Sequence, residues 1–424
     1  MRKTFEEINE KIQRGEAVIL TAEELCNMVR NGEKIEIKDV DVITAATCGV
    51  MSGTTAIFSF KVAEEGVFTK AKHVWMNGVP AYPGPCPNER LGIVDVIVYG
   101  SSHSVEKPER YGGGALFRDL VEGKEANVKV ESIEGKIIES KITLKEMNFA
   151  RMFTTRSIYR NYVAFVNPEK NAVKTIFSVT ELKGPFKMAT FAGCGEINPL
   201  EKDPEMITIG VGTKVLINGA IGYIVGRGTR SSQDKPNLSI SADMFNMKPE
   251  FLGQFITSAG PEVYNSIAIP IPILNEKILN HVKTLDENIP LPIVNIHNRK
   301  VIEHANYGEV WQNTDIKIHH NPEICKKCKI TPCPVEEKCP TEAFNRKQCK
   351  LSNTRCFDCG ACTWLCPEGA FKAKLGHLTI KEKTIPVFLR QSSRRKAKEL
   401  AEQLKRLIEK GEFQLQKPIS KIFP

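Results

Sequence analysis

Hydrophobic and polar positions change their spacing several times along this chain. The first forty residues carry two helix starts, "TFEE" (Thr4 to Glu7) and "TAEE" (Thr21 to Glu24). Each places Thr at a cap and Glu three residues on, the pattern in which both side chains satisfy free amides at a helix N-terminus. Runs of β-branched residues bounded by Gly, Pro or Ser follow: "VDVITAAT" (Val40 to Thr47), "AIFSF" (Ala56 to Phe60) and "VDVIVYG" (Val94 to Gly100). Helical spacing returns in "ALFRDLVEGK" (Ala115 to Lys124). This alternation predicts an α/β body with several short strands.

From Ile207 to Thr229 six glycines punctuate apolar residues. The stretch reads as short strands joined by tight turns. It is not a dinucleotide fingerprint, because Gly210 and Gly212 lack the third glycine at the required spacing. "NTDIKIHHN" (Asn313 to Asn321) marks a boundary, so the body is expected at 1–312, a small domain at 313–383 and a basic helical tail at 384–424. Serines at the start of that tail, Leu400, Leu404 and Leu407 in helical register, and Gly411 at the end predict an amphipathic helix docked on the body.

Composition narrows the class. The chain has 424 residues, 41% hydrophobic and 26% charged, as in ordinary globular domains. The N-terminus has no apolar h-region, and "SIAIPIPIL" is too short and too broken by proline to span a bilayer. A cytoplasmic protein with no membrane partner is expected. The net charge of +9 is partly local, since eight Lys or Arg face three Glu between Arg390 and Lys410. With no nucleic-acid-binding signature, the charge points to anionic ligands or an acidic electron donor instead. Self-association into a homo-oligomer stays open.

Cysteine changes the picture most. Of 13, nine lie between Cys325 and Cys366. In a reducing cytosol such a cluster reads as metal ligation rather than disulfides. Cys356, Cys359, Cys362 and Cys366-Pro367 match the C-x2-C-x2-C-x3-C-P run; Cys325, Cys328, Cys333 and Cys339-Pro340 form a stretched copy. In two-cluster ferredoxins three thiolates of one motif join the proline-preceded cysteine of the other. One 4Fe–4S cluster then takes Cys325, Cys328, Cys333 and Cys366, and the other Cys356, Cys359, Cys362 and Cys339. The segment is thus expected to be a small α+β dicluster ferredoxin-like domain. Structural zinc is the rival reading, but a zinc ribbon has no use for the duplicated Cys-Pro. Cys349 is a spare thiol or a replacement for Cys333 or Cys339.

In the body, Cys48 ("TAATCGVMSGTT"), Cys86 ("AYPGPCPNER") and Cys194 ("FAGCGEINPL") sit in loop-like settings where backbone amides can stabilise a thiolate. Cys26, on a helix, is expected in the core. Glu196 is a candidate general acid, as are His73 and His103. Gly112, Gly113 and Gly114 open a helix whose free amides favour an anion; Arg227 and Arg230 are a second anion site. An electron-transfer or sulfur-delivery subunit without its own substrate pocket is the alternative from another class.

The blocks "TFEEINEKIQRGEAVILTAEEL", "VWMNGVPAYPG", "YGGGALFRDLV", "AGCGEINPL", "TIGVGTKVLINGAIGYIVGRGT" and "IPIPILNE" resemble the homocysteine-biosynthesis family of archaea and anaerobic bacteria, and the fused dicluster segment resembles its methanogenesis-marker form. The resemblance implies conversion of an aldehyde to a thiol, with a cysteine carrying sulfur from a sulfide or persulfide donor and an iron–sulfur protein assisting. Low-potential electrons from a donor such as a ferredoxin would complete it. The family pattern has a cysteine where Ser52 stands and another between Val130 and Lys141; these departures point to a small anionic aldehyde other than aspartate semialdehyde. Sulfoacetaldehyde, the precursor of coenzyme M, is the leading expectation. Homocysteine formation and the coenzyme B thiol are the alternatives.

Overall fold

The computed structural model describes residues 2–86 and 90–423. Both N-terminal capping boxes are made. Glu7 N donates to Thr4 Oγ1 at 3.1 Å and Thr4 N to Glu7 Oε2 at 2.7 Å, starting α1 (Phe5–Arg14). Phe5, Ile8 and Ile12 turn its one apolar stripe to the core, and Gly15 ends it at φ 69°. The same pairing between Thr21 and Glu24 starts α2 (Ala22–Arg30).

Helix and strand are mixed, as expected, but helical crossovers do not organise the body. A fourteen-stranded sheet runs through it, and its described pairs are antiparallel except Ile19–Thr21 beside β1 (Val42–Val50). The reason is local. Asn77-Gly78 (φ 49° and 75°) and Asn218-Gly219 (φ 53° and 88°) return the chain in two residues, the left-handed pair that two-residue hairpins require. Near one edge of this sheet, next to the short strand Ile19–Thr21, β1 pairs with β2 (Gly260–Pro272), placing Cys48 opposite Ser266. α3 (Gly113–Val121) packs on β2.

A second sheet of six strands contains Ala189–Phe191, which runs parallel to β3 (Lys383–Arg390). Chain 391–393 then stitches the two sheets together: Gln391 N donates to Phe191 O at 2.8 Å, Val50 N to Gln391 O at 3.2 Å, and Ser393 N to Cys48 O at 3.0 Å. Ser393 caps α4 (Arg394–Glu409), whose Ala397, Leu400, Ala401, Leu404 and Ile408 are buried over β1 and β2. Residues 384–424 therefore supply a strand and a packed helix. The basic face of α4 is used within the chain, Lys398 reaching Glu23 and Lys405 reaching Glu24 at 2.8 Å. The cysteine-rich segment shares an apolar core with the second sheet, including Val166, Phe191, Ile293, Val335 and Phe371.

Candidate functional site

Cys48 and Cys194 meet where the two sheets join. Cys194 follows the strand Ala189–Phe191 and sits at the open edge of β1, where Cys48 N donates to its Sγ at 3.5 Å and its own Sγ lies 3.6 Å from Cys48 O. Both are fully buried. Burial pushes the Cys48 thiol up to about 12, against the pull of the Ser266 hydroxyl and the Lys396 ammonium. Burial also raises Cys194, opposed by the Cys48 amide, the Thr47 hydroxyl and Arg394. Both thiols are neutral at rest near pH 7. The rate of any thiolate reaction at Cys48 is accordingly expected to rise about tenfold per pH unit through the range in which the fold survives, checked by sulfur loading followed by mass spectrometry.

The segment 192–198 is held rigidly. Asn161, itself at φ 55°, clasps Gly195 through both its amide atoms at 2.9 and 3.1 Å. Ser392 Oγ accepts from Gly193 N at 2.8 Å. Arg394 Nε donates to Cys194 O at 2.8 Å while its other arm bonds Asp286, and the guanidinium lies 4.6 Å over the Trp311 ring.

On the outer side of this junction opens a cleft of about 540 Å3, lined by Thr47, Gly49, Ser52, Gly193, Asn198 and Ser392. Its charged lining among the described residues is Arg156, Arg230 and Arg299. Tyr159, Tyr162 and Phe177 form an aromatic flank, with Arg299 4.4 Å over Phe177 and Arg156 5.2 Å over Tyr159. Arg156 Nε has no hydrogen-bond partner. Of these arginines the sequence singled out only Arg230; Arg156 and Arg299 lie in separate strand and turn segments that only the fold brings together.

Other expected positions fall elsewhere. Gly112, Gly113 and Gly114 do not form an anion cradle, since their amides donate to Gln254 Oε1, Ser102 O and Gly100 O. They are there for close packing: a Cβ on Gly113 would stand 2.1 Å from Tyr99 O. Gly113→Ala is expected to cost about 3 kcal/mol or more, read as a fall in the unfolding midpoint. Arg227 lies over Phe423 outside the cleft. Glu196 also faces away from it, in a two-pronged pair with Arg30 at 2.5 and 2.8 Å and accepting from Asp286 N. Burial opposes its ionisation, but the Arg30 hydrogen bonds and the Arg394 charge hold it below the usual carboxylate range. It is a structural anion rather than an acid. Removing one partner of such a pair costs roughly 3 kcal/mol, so Glu196→Gln should lower stability while leaving the cleft's arginines in place. A depressed folded-state value means this contribution is present at neutral pH and is lost as pH falls through the carboxylate range. His73, Cys86 and His103 are exposed away from the cleft. Cys26 is core, its Sγ 3.1 Å from Lys202 Nζ.

Four thiols of the cysteine-rich segment come together. Cys325, Cys328, Cys333 and Cys366 line one small cavity, with Arg346 at its wall. Burial raises Cys356, Cys359 and Cys362, and so does the mutual charge within the set they form with Cys339. The two Cys-Pro turns repeat one geometry, Ala343 N donating to Cys339 Sγ at 3.3 Å and Ala370 N to Cys366 Sγ at 3.4 Å. Phe344 and Phe371, one from each repeat, stack edge to face at 5.0 Å. Cys349 lies outside this cavity lining, its Sγ 3.2 Å from Arg346 Nη1. Among the described residues no three His, Cys, Asp or Glu converge as ligands of a single ion. No described helix is long and apolar enough to cross a membrane.

A buried cysteine pair beneath a cationic cleft, joined in one fold to a cysteine-rich segment, is the outline of a sulfur-handling protein. The sequence model of the family described as "Homocysteine biosynthesis enzyme, sulfur-incorporation" matches residues 17–415, and the chain belongs to that family. An uncharacterized protein of Methanothermobacter thermautotrophicus is 47% identical, covering 96% of this chain and 93% of its own. Another, from Methanocaldococcus jannaschii, is 43% identical over 94% of this chain and 99% of its own. The L-aspartate semialdehyde sulfurtransferase of Methanocaldococcus jannaschii is 33% identical over 74% of this chain and 64% of its own. No solved structure matches the chain.

Proposed function

We propose that this chain is a sulfurtransferase that converts a small anionic aldehyde to its thiol, with sulfoacetaldehyde as substrate and coenzyme M as product. The observation that carries the reading is the cleft, where three arginines without ion-pair partners among the described residues share a lining with Thr47, Gly49 and Gly193, the chain neighbours of Cys48 and Cys194. Planar guanidinium groups suit an oxyanion bidentately. Sulfoacetaldehyde presents one sulfonate and no cation. Aspartate semialdehyde also brings an ammonium, for which this charged lining has no counterpart. The named relative favours aspartate semialdehyde as the second reading.

The chemistry explains the two thiol sets. An aldehyde, hydrogen sulfide, two electrons and two protons give the thiol and water. Sulfur supplied as a cysteine persulfide needs two further electrons to free the cysteine. The Cys325, Cys328, Cys333, Cys366 set, which lines one cavity, and the Cys356, Cys359, Cys362, Cys339 set, whose charges act on one another, would hold two 4Fe–4S clusters, with the Cys-Pro turns aiming amides at sulfur. Such clusters supply electrons one at a time. The chain's own residues do the rest. Arg156, Arg230 and Arg299 hold the anion, and Thr47 and the Cys48 amide support a negative charge on the Cys194 sulfur.

Zinc in place of iron would leave the protein colourless and redox-inactive. Iron and acid-labile sulfide analysis of anaerobically purified protein tests this, with about eight of each per chain expected from two clusters of four.

A further inference from the structure

The cysteine pair and the second thiol set are joined by continuous packing. Cys48 and Ser266 face one another across β1 and β2, with their side chains hydrogen-bonded. Tyr264, two residues along β2, lies on the same side of the sheet and is fully buried. Its ring meets that of Phe357 at 5.0 Å between centroids, and Phe357 directly follows Cys356. Phe255 fixes Phe357 from another side, also at 5.0 Å.

Lys396 enters this face from α4 and is fully buried. Its Nζ donates to Glu250 O in the body at 2.5 Å and to Thr354 O, beside the second thiol set, at 2.8 Å. It stands 5.8 Å over the Tyr264 ring. Burial lowers its pKa from the usual lysine range, and the charges of Cys48 and Cys356 act against that fall. The Cys325 set has a different setting, a cavity wall with Arg346 and exposed Lys326, Lys327 and Lys329 around it.

We propose that Lys396 and the Phe357–Tyr264 contact couple Cys48 to the metal cluster held by Cys356, Cys359, Cys362 and Cys339, and that the Cys325 set is the outward one. This rests on the iron–sulfur reading above. Lys396 is a positioning residue, a counter-charge shared by two centres. A buried ammonium between two centres lowers the cost of negative charge at each, so an electron added at one and an anionic persulfide formed at the other compete for it. The coupling is reciprocal by thermodynamic necessity. The event is a one-electron reduction by a low-potential donor, with no bond made or broken.

The test is a reductive titration of the reconstituted full chain, followed by electron paramagnetic resonance, with signals assigned by a Cys362→Ser variant. Lys396→Met is expected to make the Cys356-set cluster about tenfold harder to reduce, a shift of about 59 mV for one electron. The Cys325-set cluster should stay put, and Lys396→Arg should restore the original midpoint. The unsubstituted chain provides a second arm: loading Cys48 with persulfide should lower the same midpoint and leave the other unchanged. Equal shifts of both clusters, or no shift of either in both arms, would overturn the coupling alone. No cluster signal in the unsubstituted protein would overturn the iron–sulfur reading beneath it.

Discussion

Replacing Cys194 by serine is expected to cut thiol formation by at least about a thousandfold, some 4 kcal/mol of barrier, with binding of the aldehyde little changed. The oxygen of serine fits the same space but carries no sulfane sulfur, so the loss should fall on kcat rather than KM. Cys48→Ser is expected to do the same, because it removes the other thiol of the pair, the one on which a persulfide would feel Lys396 and whose ionisation the charge on Cys194 opposes. Their combined loss should be no greater than either alone, as for residues acting as a unit. Cys86→Ser, exposed and away from the cleft, is the control and should retain turnover. Steady-state rates with mass detection of the thiol, alongside the unfolding midpoint of each variant, decide between a chemical and a folding defect. Full activity in Cys194→Ser and Cys48→Ser would remove the pair from the mechanism.

The second large effect is expected at the arginines. A charged hydrogen bond contributes about 1.5–3 kcal/mol, so Arg156→Ala should raise KM for an anionic aldehyde by roughly ten- to a hundredfold. Arg156 is the sharpest choice, because its Nε is buried without a partner and its guanidinium already lies against Tyr159. Arg230→Glu should go further, placing an anion in the lining and turning the cleft against sulfonates. An uncharged aldehyde of similar size should be affected by neither. Steady-state kinetics with the charged and neutral aldehydes side by side reads this difference. An unchanged KM for the anion would place its binding elsewhere.

Much of this was legible in the chain. The capping boxes at Thr4 and Thr21 and the α4 helix with its glycine stop are local signals, and the fold honours them. The Asn-Gly pairs at 77–78 and 218–219 announce hairpins equally clearly. Read together they indicate antiparallel pairing, which the helix–strand alternation obscured. What stayed hidden is long-range. Cys48 and Cys194 are each plausible alone, but only the stitch at 391–393 brings them together. Arg156 and Arg299 have no local distinction at all. The glycines at 112–114 misled for a physical reason: a helix N-terminus looks the same in sequence whether its amides face a ligand or a neighbouring strand.

The most direct test of the account is anaerobic. Reconstituted protein would be given sulfide, a low-potential reductant, and sulfoacetaldehyde, aspartate semialdehyde or an ω-oxo acid in separate reactions, with the thiol detected by mass. The arginine-lined cleft predicts 2-mercaptoethanesulfonate from sulfoacetaldehyde, at a kcat/KM well above that for aspartate semialdehyde. Homocysteine as the preferred product would contradict the substrate assignment, and no thiol from any aldehyde with both clusters intact and reducible would contradict the enzyme itself.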